Sequence, residues 1–326
     1  MTPVRGTVTK ILGSSSTVDC GPAGVFQCGL RSRLSRKGGV RLAVGDRVLV
    51  TPSDVGSGEA AVATAAPGMI EEVDPRRTVL RRGHDVERGH IVCANVDRIF
   101  IVVALSDPPY NRSFIDRLIV GVERDALSPV VVVNKIDLAD RESQSLVARD
   151  MEVYGALGYP ALLVSAATGE GIDAVREAFR GRISAVVGPS GVGKSSLLNL
   201  VSPGASLLIG RVSDHDGRGR HTTTAAELLP LVDGPEGRGF VIDTPGLGDF
   251  GLGDIRADEL MAGFREVARA AVECRFTNCG HRAEPGCAVR RDVGSGAIDA
   301  ERYASWLKLH EEIKADATRR QATRRR

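Results

Sequence analysis

Aromatic side chains are scarce, at 4% of 326 residues with a single tryptophan. Basic residues Arg31, Arg33, Arg36, Lys37 and Arg41 crowd one connection with few aromatics beside them. A stacking platform for single-stranded bases is therefore weakly supported there. The cluster reads either as a solvated loop or as a contact to a phosphate backbone. Long apolar runs are also missing: the longest, residues 99–105, falls far below the ~20 residues of a spanning helix. Residues 1–10 carry no apolar core of signal-peptide length, so neither secretion nor membrane insertion is expected, and a reduced, cytoplasmic protein is. Cysteines are too unevenly spread for a disulfide framework. Cys20, Cys28 and Cys93 are scattered and read as small core or surface residues, whereas Cys274, Cys279 and Cys287 cluster with His281. His84, His90, His215 and His310 carry no motif and are expected to be exposed. Nor does one sign of charge dominate. The net charge is +2, although basic residues concentrate in the last eight positions, from Arg319 to Arg326.

What remains is the composition of an ordinary globular chain, 42% hydrophobic and 26% charged. Its length suits about two or three domains. The strongest local signal is Gly188-Pro189-Ser190-Gly191-Val192-Gly193-Lys194-Ser195, followed by Ser196. Two glycines separated by four residues, then Lys and Ser, form a phosphate-binding loop when a strand precedes them and a helix follows. The apolar residues Ile183, Ala185, Val186 and Val187 supply that strand. Backbone N–H groups close around phosphate oxygens only where side chains leave room, which explains the glycines. Lys194 is expected to reach the outer phosphates and Ser195 to hold Mg²⁺, with the helix N-terminus adding partial positive charge.

Residues 1–88 read as all-β. Short β-prone runs at 4–11, 25–30, 47–50 and 69–73 are separated by glycine- and serine-rich turns. About five short strands suit a small closed barrel of the OB type. Residues 81–90 are polar and glycine-punctuated, as in a linker. From residue 89 to 255 strands and helices alternate, with strands expected at 99–105, 130–133, 161–164, 183–187 and 240–242 and an additional, edge strand at 228–232. Ile115, Leu118, Ile119 and Val122 share one helical face. This is a doubly wound α/β pattern. Residues 256–326 read as helical, with a helix over 259–272, the Cys/His cluster, and a helix from Ala300 presenting Tyr303, Trp306 and Leu307 on one face before the basic tail.

Asn134-Lys135-Ile136-Asp137 closes the strand at 130–133 and narrows the nucleotide to guanine. The Asp137 carboxylate can accept two N–H groups from guanine's Watson–Crick edge while Asn134 meets the opposite edge. Adenine would leave a buried Asp137 unpaired, the kind of loss that yields discrimination of ~10⁴ or more. Ser165-Ala166 ends the next strand, where a backbone N–H can read the guanine oxygen. Asp243-Thr244-Pro245-Gly246 follows the strand at 240–242, placing a carboxylate near Mg²⁺ and the Gly246 N–H near the γ-phosphate. Thr222-Thr223-Thr224 supplies a hydroxyl for Mg²⁺, with Thr223 preferred. Five elements of a GTPase site are thus present, but the guanine motifs precede the phosphate loop. In an open parallel sheet the site is built from loops at the carboxyl ends of the strands, so it survives rotation of the strand order. The pattern is that of a circularly permuted GTPase, and its switch loop leads directly into the C-terminal region.

On Asn134–Asp137, Gly188–Ser196, Gly219-Arg220-His221-Thr222-Thr223-Thr224, Asp243–Gly246 and Cys274–Cys287, the whole chain resembles the RsgA (YjeQ) family of small-ribosomal-subunit assembly GTPases. The resemblance implies an OB-fold, contact with ribosomal RNA, and GTP hydrolysis to GDP stimulated by the small subunit. It also points to His221 in the hydrolysis step. The stretch Leu247-Gly248-Asp249-Phe250-Gly251-Leu252 is more glycine-rich than the family pattern.

Cys274-x₄-Cys279-x-His281-x₅-Cys287 offers three thiolates and an imidazole, a closed tetrahedral set suited to one structural Zn²⁺. Phosphoryl transfer needs positioning and charge stabilisation, roles expected of Lys194 and Thr223. Leu247 stands where a water-orienting Gln would be, so slow intrinsic hydrolysis is expected, completed by His221 or a group from the partner. His221 reads equally as a residue that only fixes the switch loop. The leading expectation is a monomeric timer on the small ribosomal subunit and its rRNA, released on hydrolysis. The alternative is a nucleotide-gated rRNA-binding scaffold in which hydrolysis is dispensable.

Overall fold

A computed structural model of the chain describes residues 2–35, 41–53, 65–82, 90–202, 226–234, 237–243 and 255–324. The chain forms two compact units interleaved along the sequence. One comprises residues 1–99, 169–187 and 193–247, and the other residues 100–168, 188–192 and 248–326.

The first unit opens with a closed barrel. Strands β1 (Val4–Leu12), β2 (Ser15–Asp19), β3 (Val25–Leu30), β4 (Arg47–Pro52) and β5 (Ala66–Val73) pair in the order β1-β2-β3-β5-β4, and β4 returns to β1. The β3–β5 pairing is parallel and the others are antiparallel. Alternation along each strand turns Val8, Val18, Phe26, Cys28, Val48, Val50 and Ile70 inward as one core. Closure removes the exposed edges that short strands would otherwise present. The OB-type barrel expected from the turn spacing is present. The four-residue helix α1 (Ser32–Ser35) begins the basic connection, where Arg31 and Arg33 both lie against Glu71. Residues 36–40 lie outside the described residues.

Residues expected as a linker instead carry strand at both ends. β6 (Val79–Arg82) and β7 (His90–Ala94) form an antiparallel pair with Arg81 opposite Ile91. The period-2 signal was hidden by polar side chains on a two-stranded ribbon. The same unit holds α4 (Ile172–Phe179), β11 (Ile183–Val187), α5 (Lys194–Val201), β12 (Glu227–Gly234) and β13 (Gly237–Asp243). β11 and β13 run parallel. β12 is not an edge strand: it lies antiparallel to β13 on one side and meets β1 on the other, where Lys10 pairs with Glu227 at 2.8 Å.

In the second unit, strands stack in the order β10 (Ala161–Leu163), β9 (Ser128–Asn134), β8 (Arg98–Ala104), the last belonging to this unit from Phe100 on. Val130 to Val133 are fully buried, as a strand covered on both faces requires. Helices α2 (Arg112–Arg124) and α3 (Arg141–Ala156) start at Asn111 and Asp140, whose side chains accept the amides of Phe114 and Ser143. The C-terminal part contributes α6 (Ala257–Leu260), a 3₁₀ turn (Met261–Gly263), α7 (Arg265–Ala271), α8 (Ala288–Ser295) and α9 (Ala300–Arg324). The helix expected over 259–272 is therefore broken at Gly263. A Cβ there would lie 2.7 Å from the Val120 Cα, so glycine lets the turn press directly onto α2. Val120 joins Leu260, Phe264, Val267, Val289, Ile298, Trp306 and Leu309 in one apolar core. The buried face of α9 is rotated from the expected one: Arg302, Ser305, Trp306 and Leu309 are buried, whereas Tyr303 and Leu307 are only partly so. No helix among the described residues is long and apolar enough to cross a membrane.

Candidate guanine-nucleotide site and metal centre

Asn134, the last residue of β9, is buried to 1% exposure and ties together three loops. Its Nδ2 donates to the Val192 carbonyl at 2.8 Å, and its Oδ1 accepts the Ala166 amide at 2.9 Å. The phosphate-loop segment 188–192 and the Ser165-Ala166 loop are thus held by one side chain. Lys135 adopts a left-handed conformation, φ 62°, which sharply turns the chain off the strand end into a 3₁₀ turn, Ile136–Leu138. The Lys135 Nζ donates to the Asp107 carbonyl at 2.5 Å. Asp137 is exposed, not buried as expected, and its Oδ1 accepts the Ser165 hydroxyl at 2.5 Å. Ser165 in turn accepts the Thr168 amide at 3.1 Å, so the carboxylate is oriented by a loop that is itself fixed.

Gly188 shows why the first phosphate-loop position needs glycine. Its φ is +151°, and a Cβ there would stand 2.0 Å from the Val102 carbonyl oxygen on β8. Gly191 and Gly193 also take positive φ, +80° and +91°. Helix α5 then begins at Lys194 with Gly193 as its N-cap, so Gly193, Lys194, Ser195 and Ser196 occupy a helix start in the first unit. Such a start carries partial positive charge that favours an anion. Asp243 ends β13. His221, Thr222, Thr223, Thr224, Gly246 and Leu247 lie outside the described residues.

The metal-ligand set is assembled. Cys274, Cys279, His281 and Cys287 place one ligand atom each within 4.8 Å of one another. The Cys274 and Cys287 sulfurs are 4.0 Å apart and lie 3.5 and 3.6 Å from the His281 Nδ1. A tetrahedral Zn²⁺ with bonds of about 2.3 Å to sulfur and 2.0 Å to nitrogen needs ligand separations of roughly 3.5–3.8 Å, close to the 3.5–4.0 Å among Cys274, Cys287 and His281. Burial acts to raise the Cys274 pKa, but the amides of Val289 and Ala288 outweigh it and hold the thiol below its ordinary value. Desolvation pushes Cys279 up to about 11 and lowers the His281 pKa, favouring a neutral imidazole. His281 is held from outside by Tyr303, whose hydroxyl donates to the His281 carbonyl at 2.5 Å, and by the edge-on Trp306 ring at 5.4 Å. Beneath the loop, the Glu284 carboxylate accepts the amides of Gly280, Arg282 and Ala283 at 2.8, 2.8 and 3.0 Å. His310, expected to be exposed, instead stacks on Trp306 at 4.9 Å. No sequence motif marks Asp107, which acts through its backbone carbonyl, or Glu284, whose carboxylate meets backbone amides that any sequence supplies.

Guanine-recognition loops that precede a phosphate loop in the chain, joined to a closed barrel and a Cys₃His cluster, define a circularly permuted GTPase. The family model described as RsgA GTPase matches residues 73–253. The small ribosomal subunit biogenesis GTPase RsgA of Chlorobaculum parvum is 40% identical over 314 residues, covering 94% of this chain and 97% of that relative. The crystal structure of YjeQ from Thermotoga maritima superposes with a TM-score of 0.73 at 33% identity, covering 96% of this chain and 99% of the other. YloQ, described as a circularly permuted GTPase, gives 0.72 at 25% identity, covering 97% and 96%. The chain belongs to the RsgA GTPase family, and it is a GTPase.

Proposed function

We propose that this GTPase binds the small ribosomal subunit during late assembly and that hydrolysis of GTP to GDP drives its release. The relative from Chlorobaculum parvum carries the small-subunit biogenesis name over nearly its full length, which supports the subunit as partner. On this reading residues 1–88 form an RNA-binding barrel, 89–255 the GTPase domain and 256–326 the zinc-binding helical domain, and the protein acts as a cytoplasmic monomer against rRNA.

The observation that carries the nucleotide assignment is the double tie of Asn134 to Val192 and Ala166. It fixes the guanine-facing loops to the phosphate loop before any ligand arrives, so little ordering cost falls on binding. Asp137, held by Ser165, reads the guanine N–H groups; Lys135 and Ala166 complete the base site. Gly188, Ser190, Gly191, Val192, Gly193, Ser195 and Ser196 present N–H and hydroxyl groups to the phosphates, and Lys194 offsets their charge. Mg²⁺, held by Ser195 and Thr223 with Asp243 beyond it, would stabilise charge on the phosphate oxygens. Gly246 and His221 are assigned to the γ-phosphate side, His221 to the hydrolysis step. The four metal ligands hold Zn²⁺ in a structural role, since no ligand position is left for water.

GTP turnover by the purified chain, alone and with isolated small subunits, tests the reading. Slow turnover alone and selective stimulation by small subunits are expected, with large subunits and ATP inactive. Stimulation by large subunits only would remove the assigned partner. Full biological activity in Lys194→Ala would favour a scaffold over an enzyme.

A further inference from the structure

The loop between β8 and α2 touches the guanine-recognition loop at one end and the C-terminal helix at the other. Its first residue, Leu105, donates its amide to the Asn134 carbonyl at 2.9 Å. Asp107 accepts the Lys135 ammonium, and the Pro108 Cδ lies 3.9 Å from where a Cβ on Gly191 would stand. Towards the end of the loop, the Tyr110 hydroxyl donates to Asp150 Oδ2 at 2.9 Å. Arg112, buried to 8% exposure at the first turn of α2, forks between Asp150 Oδ1 and Asp299 Oδ1, at 2.7 Å each, with the exposed Glu301 carboxylate of α9 further off at 3.5 Å. Asp299 immediately precedes α9, and the same Oδ1 accepts the Arg302 amide at 2.9 Å.

We infer that Arg112 is a positioning residue that couples guanine-nucleotide affinity to docking of the C-terminal helix through the loop 105–111. This deepens the guanine-site reading and rests on it. A buried guanidinium held at 2.7 Å by two carboxylates, with only the solvent-exposed Glu301 as a longer third partner, has little freedom to shift without losing one of the close pair. Displacing Asp299 with α9 therefore releases Arg112 and the loop that contacts Lys135 and the phosphate-loop segment. Coupling of this kind is reciprocal: whatever nucleotide binding does to α9, α9 does to nucleotide binding. A partner that pulls on the C-terminal helix would thus change nucleotide affinity from the base side, independently of the switch loop.

Asp299→Ser tests this, because serine still caps the Arg302 amide but is too short to reach Arg112. The probe is a fluorescent N-methylanthraniloyl derivative of GDP. Affinity should fall about fivefold, the low end of ordinary coupling. GDP should also protect the amides of residues 300–306 from hydrogen exchange in the unmodified chain and no longer do so in the variant. Arg265→Gln serves as the comparison. It breaks the 2.5 Å Arg265–Glu123 pair and loosens the same C-terminal packing away from the loop; its nucleotide affinity should not change. Unchanged affinity in Asp299→Ser, or an equal loss in both variants, would overturn the coupling while leaving the guanine site intact. Failure of the unmodified chain to bind the probe would overturn both.

Discussion

Arg302 of α9 meets Asp116 of α2 at 2.7 Å with both side chains fully buried. The guanidinium also bonds Glu266 at 2.9 Å and the Gly263 carbonyl at 2.7 Å, and lies 4.3 Å over the Phe264 ring. Asp116 accepts the Tyr154 hydroxyl at 2.6 Å. Burial acts to lower the Arg302 pKa, but Asp116 and Glu266 outweigh it and hold the group charged. The pair pins the C-terminal helices to the GTPase helix that carries the Asp107 loop.

Removing one partner leaves the other as an uncompensated buried charge. Arg302→Met should therefore cost about 3–5 kcal/mol, with Asp116→Asn in the same background recovering part of it. Equilibrium unfolding followed by Trp306 fluorescence reads this cleanly, because the chain has one tryptophan and it sits in the core beside α7. A loss below about 1 kcal/mol would mean the pair is no better than a surface bridge.

Ser165→Ala removes the hydroxyl that orients Asp137 and leaves the Thr168 amide without this acceptor. Hydrogen bonds to a charged group are worth about 1.5–3 kcal/mol. GDP affinity should fall on the order of tenfold, with thermal stability little changed. Equal affinity for GDP in the variant would show that Asp137 is held by something other than Ser165.

These sites were legible in the sequence to different depths. That Asn134 meets the phosphate-loop segment and the Ser165-Ala166 loop was foreshadowed by spacing, because the proposed chemistry demands fixed residue types at fixed positions. The convergence of Cys274, Cys279, His281 and Cys287 could be read for the same reason. Arg302 could not: on a helical wheel it lies beside Trp306 and looks like the edge of a polar face, and only the three-dimensional meeting with Asp116 makes burial affordable. The strands at 79–82 and 90–94 were hidden by the arginines and histidine at one end of the ribbon, although Leu80, Cys93 and Ala94 at the other are fully buried. The interior position of β12 depended on its pairing with β1, 217 residues away in the Lys10–Glu227 contact, which no local pattern reports.

Gly188→Ala places a methyl group 2.0 Å from the Val102 carbonyl, and that oxygen belongs to a strand that cannot yield. The loop must move by more than an ångström, and misplacement of that size costs on the order of 100-fold in turnover. GTP hydrolysis by the variant, with and without small subunits, should fall by that amount while the circular dichroism spectrum is retained. Gly296→Ala makes the comparison: it also has positive φ, +79°, but no atom lies within 4 Å of its Cβ, so only backbone strain at a helix end is at stake. Equal losses of turnover in the two variants would mean that the steric argument at Val102 is wrong.

Glu284 provides the last prediction, because it shapes the metal loop without ligating the ion. Its carboxylate is held down at about 2, from an ordinary 4.5, by its own amide and those of Arg282 and Gly280. A depressed folded value means that the clamp is intact above the ordinary carboxylate pKa and is lost only as pH falls from 4.5 towards 2. At pH 6–8 the clamp is therefore constant, while the thiols and His281 still exchange protons for metal. Glu284→Ala should weaken Zn²⁺ retention about tenfold, as loss of groups that orient metal ligands does. A chelator competition at several pH values between 6 and 8 measures it. The affinity of each protein should rise with pH, but the ratio between them should stay fixed. A ratio that changes with pH would place Glu284 among the groups titrating with the ligands, and an unchanged affinity would show that Cys279 and His281 hold their loop without it.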